Sequence, residues 1–334
     1  MVSYKDIQRE TGLSLSTISK YFNGGNLLED NRKAIGSAVA LLDYRPNGFG
    51  RGLRLQRSGT VGVVLPVLNN DFHLTIIASV ETALRDAGIS VIVASSPTPQ
   101  EKAVELLLGK MVDGIIAVPS PHDLPALQYA TGRMPVVIID WDAEELDTDA
   151  VFLDNVGAGV MAARHILDHG HTRVALIGGD PAVSTMRLRA SGFREELTLS
   201  GHALEENLDR SGPLVMQTGY EAMGGLLSTR DRPTAVFCTN YELTLGALIA
   251  LNESGLRLGR DISMVGFDGL ELAQATVPRL TVIAQPVEEI GTRAAQLIQG
   301  RLTQSDPPSQ STIETLRPRL VAGGSVARLE NPAA

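Results

Sequence analysis

From residue 60 onward, short apolar runs alternate with stretches of helical length. This alternation restricts the fold more than any other feature of the 334-residue chain. The runs fall at 61–66, 90–94, 114–118, 136–140, 174–178, 235–238 and 263–267, and the intervening stretches include 75–87 and 157–169. A run that is apolar throughout reads as a strand buried on both faces, and a helical spacer returns the chain to start the next strand in the same direction. The predicted class is therefore α/β, with parallel sheets covered by helices on both sides. About 270 residues of this pattern exceed one sheet of ordinary size, so the body is expected to form two doubly wound lobes. Ligands of such sheets bind beyond the carboxyl ends of the strands, here in the cleft between lobes.

Composition narrows the setting. Apolar residues make up 43% of the chain, enough for packed interiors. No uninterrupted apolar run reaches the ~18 residues a bilayer-spanning helix needs. The start, MVSYKDIQRE, lacks the apolar stretch of a signal peptide. The single cysteine, Cys238, excludes an intramolecular disulfide and a cysteine-cluster metal site. A cytoplasmic protein with no membrane partner is expected. The net charge of −9 hides an asymmetry. Residues 1–59 carry nine basic and five acidic side chains, +4, which leaves −13 for the rest. A small anion-binding head on an acidic body would show this division.

The head reads as helices. Ser3 and Asp6 have capping-box spacing, so a helix should start near Tyr4 and end near Thr11, before Gly12. Ser14 offers an N-cap to a second helix over 15–22. Ile7, Leu13, Ile18 and Phe22 can bury together, and Ile35, Ala38, Val39 and Leu42 form a third apolar stripe at helical spacing. Two short helices about a glycine-containing turn have helix-turn-helix geometry. The second helix exposes Leu15, Ser16, Thr17, Ser19 and Lys20. Those side chains suit either an ordinary solvated face or contact with base edges and phosphates in a major groove.

The string YKDIQRETGLSLSTISKYFNG decides between them. It resembles the DNA-binding head of the lac-repressor (LacI/GalR) family of transcription regulators, matching at Asp6, Ile7, Thr11, Gly12, Leu13, Ser14, Thr17, Ile18, Ser19, Lys20, Phe22 and Asn23. It departs at Gln8, where the family usually has Ala, and at Leu28, where Ser or Thr normally caps the third helix. The resemblance continues through Tyr44-Arg45-Pro46-Asn47 and then through VDGIIAVPS, VVIIDWD, VFLDNVGAG, HGHTRVALIGG, RPTAVFCTNYELTLGAL and DISMVGFD, in order, to near the end of the chain. It implies a head at 1–46, a hinge at 47–59 and an effector-binding, dimerising body at 60–330 that resembles periplasmic sugar-binding proteins. The first lobe would be 60–154 plus 285–314, and the second 155–284 plus 315–330.

The resemblance also assigns roles. Leu15, Ser16 and Lys20 align with base-reading positions, and Ser3, Tyr4, Thr17, Ser19 and Asn23 with phosphate or sugar contacts. Many relatives carry Arg where this chain has Lys20. Lys gives guanine a point charge rather than a planar fork, which loosens discrimination. The hinge NGFGRGLRL begins at Asn47, itself an expected DNA contact, and its glycines make it a poor helix on its own. In the family, the matching segment folds on operator DNA and wedges a leucine between base pairs; Leu53 matches that leucine.

Polar residues at strand ends are the cleft candidates. Asp140 and Asp268 end apolar runs, Asn240 follows one, and Arg189 lies in the loop-to-helix segment after Gly178-Gly179. A sugar needs planar donors and acceptors plus an apolar face; Phe72 and Trp141 can supply the face. Alternatives stand for several: Asp140 can cap a helix, Trp141 can be packing, and His73 can be a loop residue. By resemblance these positions contact effector, with His73, Phe152 and Leu214 beside them. Leu214 replaces the Trp or Phe of better-studied relatives, so one stacking wall is expected to be missing.

The implied protein is a sequence-specific DNA-binding regulator, expected to act as a repressor. It is expected to work as a homodimer on a pseudo-palindromic operator, under control of a small-molecule effector. A sugar or related polyol is favoured over a purine-like ligand. The chain end, GGSVARLENPAA, lacks the leucine heptad of tetrameric relatives. No zinc-protease, phosphate-loop or nucleophile-elbow pattern occurs, so neither an enzyme nor a cofactor or metal is expected. The alternative is a sugar-binding module without DNA function.

Overall fold

The computed structural model describes residues 2–22, 25–44, 57–141, 146–304 and 310–329. The chain divides into two compact units, Met1–Gly59 and Thr60–Ala334.

The first unit contains α1 (Tyr4–Thr11), α2 (Leu15–Phe22) and α3 (Glu29–Leu41). The Ser3 backbone N–H and hydroxyl both donate to the Asp6 carboxylate, at 2.9 and 2.8 Å, closing the first turn of α1. Gly12 ends the helix in the left-handed conformation, φ 68°, and its N–H donates to the Gln8 carbonyl. The Thr17 N–H donates to Ser14 Oγ at 3.2 Å, which caps α2. Leu28 opens α3 with no side-chain cap, an omission that costs about 1 kcal/mol. Ile7, Ile18, Ile35 and Ala38 are buried at the centre. Tyr4, Phe22 and Tyr44 close the core, the Tyr4 and Phe22 rings stacking at 5.2 Å. Asn23, Asn47 and Leu53 lie outside the described residues.

The second unit holds two six-stranded sheets. The first is built from β1 (Thr60–Leu65), α4 (Asp71–Arg85), β2 (Ser90–Ser95), α5 (Ala103–Gly109), β3 (Gly114–Ala117), α6 (Leu124–Thr131), β4 (Val136–Ile139) and β5 (Asp149–Leu153). The chain then crosses into α7 (Asn155–Asp168), β6 (Val174–Gly178), α8 (Ser184–Leu199), β7 (Asp209–Ser211), α9 (Met216–Leu227), β8 (Ala235–Cys238), α10 (Tyr241–Glu253), β9 (Ser263–Phe267), α11 (Leu270–Ala275) and β10 (Thr281–Ala284). It returns with α12 (Val287–Thr303) and β11 (Ile313–Leu316), and crosses once more into β12 (Arg319–Val321). Strand orders are β2-β1-β3-β4-β5-β11 and β7-β6-β8-β9-β10-β12, and only the β10–β12 pair is antiparallel.

Each sheet buries an apolar layer on both faces, as the runs require. On one face of the first sheet, Val61, Val63 and Ile116 pack with Ile76 and Val80 of α4 and Ile290 and Ala294 of α12. On the other, Val64, Ile115 and Ile138 pack with Leu107 and Leu127. The second sheet repeats this, with Phe193 and Phe237 on one face and Leu243 and Met264 on the other.

Three differences from the sequence expectation have local causes. Helix α4 starts at Asp71 rather than near residue 75, because Asn70 caps it. Helix α7 likewise starts at Asn155, because Asp154 Oδ1 accepts the Gly157 N–H at 2.8 Å. Strand β11 stays in the first sheet through Leu316, paired with Leu153, so the last crossover lies beyond residue 314. Asp149, buried under β11, anchors that return by accepting two hydrogen bonds from Arg301, at 2.7 and 2.6 Å, and one from the Thr312 N–H. Among the described residues, no helix is long and apolar enough to cross a membrane.

Candidate functional site

In the first unit, the expected DNA-facing residues that are described lie at the start of α1 and along α2. Leu15, Ser16 and Lys20 are exposed; Thr17 and Ser19 are half-buried. Ile18 turns inward from the same helix, so core packing fixes which face of α2 is offered. Ser14, Ser16 and Thr17 share hydroxyl contacts of 2.8 Å in the first turn, holding a hydroxyl cluster at a helix N-terminus, where phosphates are favoured. The Tyr4 ring is committed to the core.

In the second unit, a cavity of ≈ 800 Å³ opens between the lobes. Phe72, His73, Asp140, Trp141, Arg189, Leu214, Asn240 and Asp268 all line it; Phe152 does not. Phe152 instead sits in β5, packed with Trp141 against the core of the first lobe. Trp141 therefore serves both packing and the cavity wall.

Arg189 is the centre of the site. It lies within α8 rather than in the loop before it, and is only 2% exposed. Glycine makes this placement possible: a Cβ at Gly159 of α7 would collide with the Arg189 carbonyl, so only glycine lets the two helices approach this closely. The guanidinium lies 3.8 Å over the Phe267 ring. Its Nε donates to Asn155 Oδ1 at 2.8 Å and its Nη1 to the Thr239 carbonyl at 3.0 Å; Nη2 has no protein partner. Burial lowers the Arg189 pKa, while Asp140 and Asp268 oppose that shift.

The two aspartates occupy matching places. Asp140 follows β4 and Asp268 follows β9, each the fourth strand of its sheet, with left-handed φ of 56° and 57°. Such backbone in a non-glycine residue costs about 1 kcal/mol or more and is held by its surroundings. Each N–H donates across to the next strand, to Val151 at 3.2 Å and Ile283 at 2.8 Å. Burial pushes the Asp140 carboxyl up to about 6, against the opposing charge of Arg189; Asp140 Oδ1 has no partner. Burial also raises Asp268, but its two oxygens accept from the Gln285 N–H at 3.0 Å and Nε2 at 2.7 Å.

Burial pushes the His73 pKa down to about 4, so the ring is neutral near pH 7; Nδ1 has no partner. Asn240 is largely occupied: its Oδ1 caps α10 through the Leu243 N–H, and its amide donates to Glu242. Asn70, the cap of α4 in the other lobe, donates to the same carboxylate at 2.7 Å. Glu242 thus joins the lobes across the cleft.

Sequence reasoning missed Asn70, Asn155, Thr239, Glu242, Phe267 and Gln285. Asn155 and Gln285 directly follow or flank interlobe crossings, and that position was the available signal. The Arg189–Thr239 bond uses a backbone carbonyl, which sequence cannot show. Among the described residues, no group of histidine, cysteine, aspartate or glutamate side chains can hold a metal ion.

Comparison with known proteins places this architecture. Residues 163–326 match the family description of a periplasmic binding protein-like domain. The ribose operon repressor of Escherichia coli K12 is 30% identical over 333 residues, covering 97% of this chain and 100% of that protein. The HTH-type transcriptional repressor PurR of Erwinia tasmaniensis is 31% identical, covering 98% of this chain and 97% of that one. A crystal structure of the lac repressor dimer bound to operator and the anti-inducer ONPF superposes with a TM-score of 0.84 at 26% identity, covering 98% of this chain and 99% of that one. A LacI family transcriptional regulator from Enterococcus faecium with bound ribose gives a TM-score of 0.70 at 27% identity, covering 81% and 100%. With a helix-turn-helix head, a two-lobed body and this full-length similarity, the chain belongs to the lac-repressor (LacI/GalR) family of transcriptional regulators.

Proposed function

We propose that this chain is a homodimeric repressor that reads a pseudo-palindromic operator and is controlled by a sugar or related polyol bound between its lobes. Leu15, Ser16 and Lys20 read bases. Ser3, Tyr4, Thr17, Ser19, Asn23 and Asn47 hold the DNA backbone, and Leu53 wedges into the minor groove. Two heads of one dimer fall in successive major grooves, about 34 Å apart.

One observation carries the effector half. Asp140 Oδ1, Arg189 Nη2, His73 Nδ1 and Gln285 Oε1 are buried, lack protein partners and belong to residues that line one cavity. An unmade buried hydrogen bond costs about 1–3 kcal/mol, so a ligand that completes several of these gains substantial affinity. Phe72, Trp141 and Leu214 offer apolar walls beside them. Effector and operator then compete or cooperate through the same lobe arrangement, and their affinities are reciprocally linked. Because a LacI family regulator of the same fold was solved with bound ribose, a sugar is preferred to a purine as the effector.

Selection of genomic fragments by the purified full-length protein tests the DNA half. Enrichment of a palindromic element, bound with a steep inverse dependence on salt, is the expected result. Uniform recovery of unrelated fragments would refute sequence-specific binding and leave the sugar-binding module as the better reading.

A further inference from the structure

The cavity is strongly acidic. Among the described residues, seven carboxylates line it: Asp71, Asp140, Glu242, Asp268, Glu271, Glu288 and Glu289. Among the described residues, the guanidinium groups lining it are those of Arg189 and Arg319. Arg319 is exposed on β12. Arg189 is buried between two carboxylates that interact with it electrostatically, and two of its three nitrogens are already bonded to Asn155 and Thr239. Only Nη2 remains. A phosphate or carboxylate is held best by a guanidinium fork free of other charges; the Nη2 N–H groups, beside the charges of Asp140 and Asp268, suit neutral hydroxyls.

The other open positions point the same way. Asp140 Oδ1 and Gln285 Oε1 are acceptors, and a neutral His73 with a backbone hydrogen bond to Val67 keeps Nδ1 open. Three open acceptor atoms thus stand beside one open donor nitrogen, which favours a ligand bearing several O–H or N–H groups. At the mouth, burial pushes the Tyr241 phenol pKa up, and Asp71, Glu242 and Glu271 lie close enough to push it further. An anionic substituent would have to pass or rest beside these charges, only partly screened by solvent.

Resting on the sugar reading above, we propose that the cleft selects the free, uncharged form of its sugar and rejects the phosphate esters and carboxylates of the same sugar. The buried acceptors recognise hydroxyls, and the acidic mouth supplies the rejection. The regulator then senses a sugar before phosphorylation rather than after it.

Calorimetry on the full-length protein with paired probes tests this: ribose and ribose 5-phosphate, glucose and glucose 6-phosphate, galactose and galactose 1-phosphate. In every pair where either member binds, the free sugar should bind at least ~10-fold more tightly, the ratio expected from like-charge repulsion by several partly screened carboxylates. Higher ionic strength should narrow the ratio, and the double variant Asp71→Asn, Glu271→Gln should narrow it at least ~3-fold at low salt. An ester binding as tightly as its free sugar would overturn this inference and leave the sugar reading standing. So would a wild-type preference that neither salt nor the double variant changes. Absence of binding by every probe, free or esterified, would refute the sugar reading and this inference together.

Discussion

The two lobes place an aspartate at the same point of the same strand order, in the same left-handed backbone, and then use it differently. In the second lobe, Asp268 is tied by Gln285 through both carboxylate oxygens. In the first, Asp140 keeps one buried oxygen without a partner. Repetition of the fold fixes where the carboxylates sit; one neighbouring side chain decides whether a carboxylate is bound up within the protein or left open. Arg189 lies between them and compensates both.

The largest effect should come from removing that shared cation. Arg189→Ala leaves two buried carboxylates without their counter-charge, so about 3–5 kcal/mol of body stability should be lost at pH 7. Chemical denaturation would measure it; a loss under ~1 kcal/mol would mean that the carboxylates are not coupled through Arg189. Next, Asp268→Ala should cost about 1–3 kcal/mol, because the buried Gln285 donors lose their acceptor. Asp268→Asn should cost less, since Gln285 can turn its unpartnered Oε1 toward the new amide.

Asp140 should behave oppositely. Its folded pKa of about 6 exceeds its ordinary value of 3.8, so the neutral form is favoured in the folded state. The associated stability is present in full below pH ~4 and is lost as pH rises through 6. Asp140→Asn should therefore raise Tm at pH 7 but not at pH 4, while weakening a hydroxyl-bearing ligand roughly 10- to 100-fold. Equal destabilisation by Asp140→Asn and Asp268→Ala would erase the distinction between the lobes. The smallest expected effect is on ligand affinity across pH 5 to 7: it should fall as Asp140 protonates, and Asp140→Asn should flatten that profile.

Much of this was legible from residues. Most central strands are apolar on both faces, so their runs stand out; β5 and β10, though interior, were not read as runs, and β7, β11 and β12 are short, partly exposed edge strands that leave no such mark. Asp140 and Asp268 were identifiable as polar groups at strand ends, and Arg189 by its match to the family's cleft positions. Which aspartate is open was not, because that depends on Gln285, which lies 17 residues from Asp268 in sequence. Nor was the commitment of Asn240 to capping and to Glu242, a pairing that also requires Asn70 from the opposite lobe. Phe152 resembled a cleft residue by position, yet its side chain packs into the first lobe.

On the proposed function, occupation of the cleft controls operator binding. The most direct measurement is the affinity of the full-length protein for its selected genomic fragment, followed by fluorescence anisotropy at fixed salt, with and without a saturating free sugar identified by calorimetry. The expected change is at least ~5-fold, the lower end of ordinary allosteric coupling, with a reciprocal change of equal size in sugar affinity when the fragment is bound. A sugar that fills the cleft while fragment affinity stays the same would contradict it.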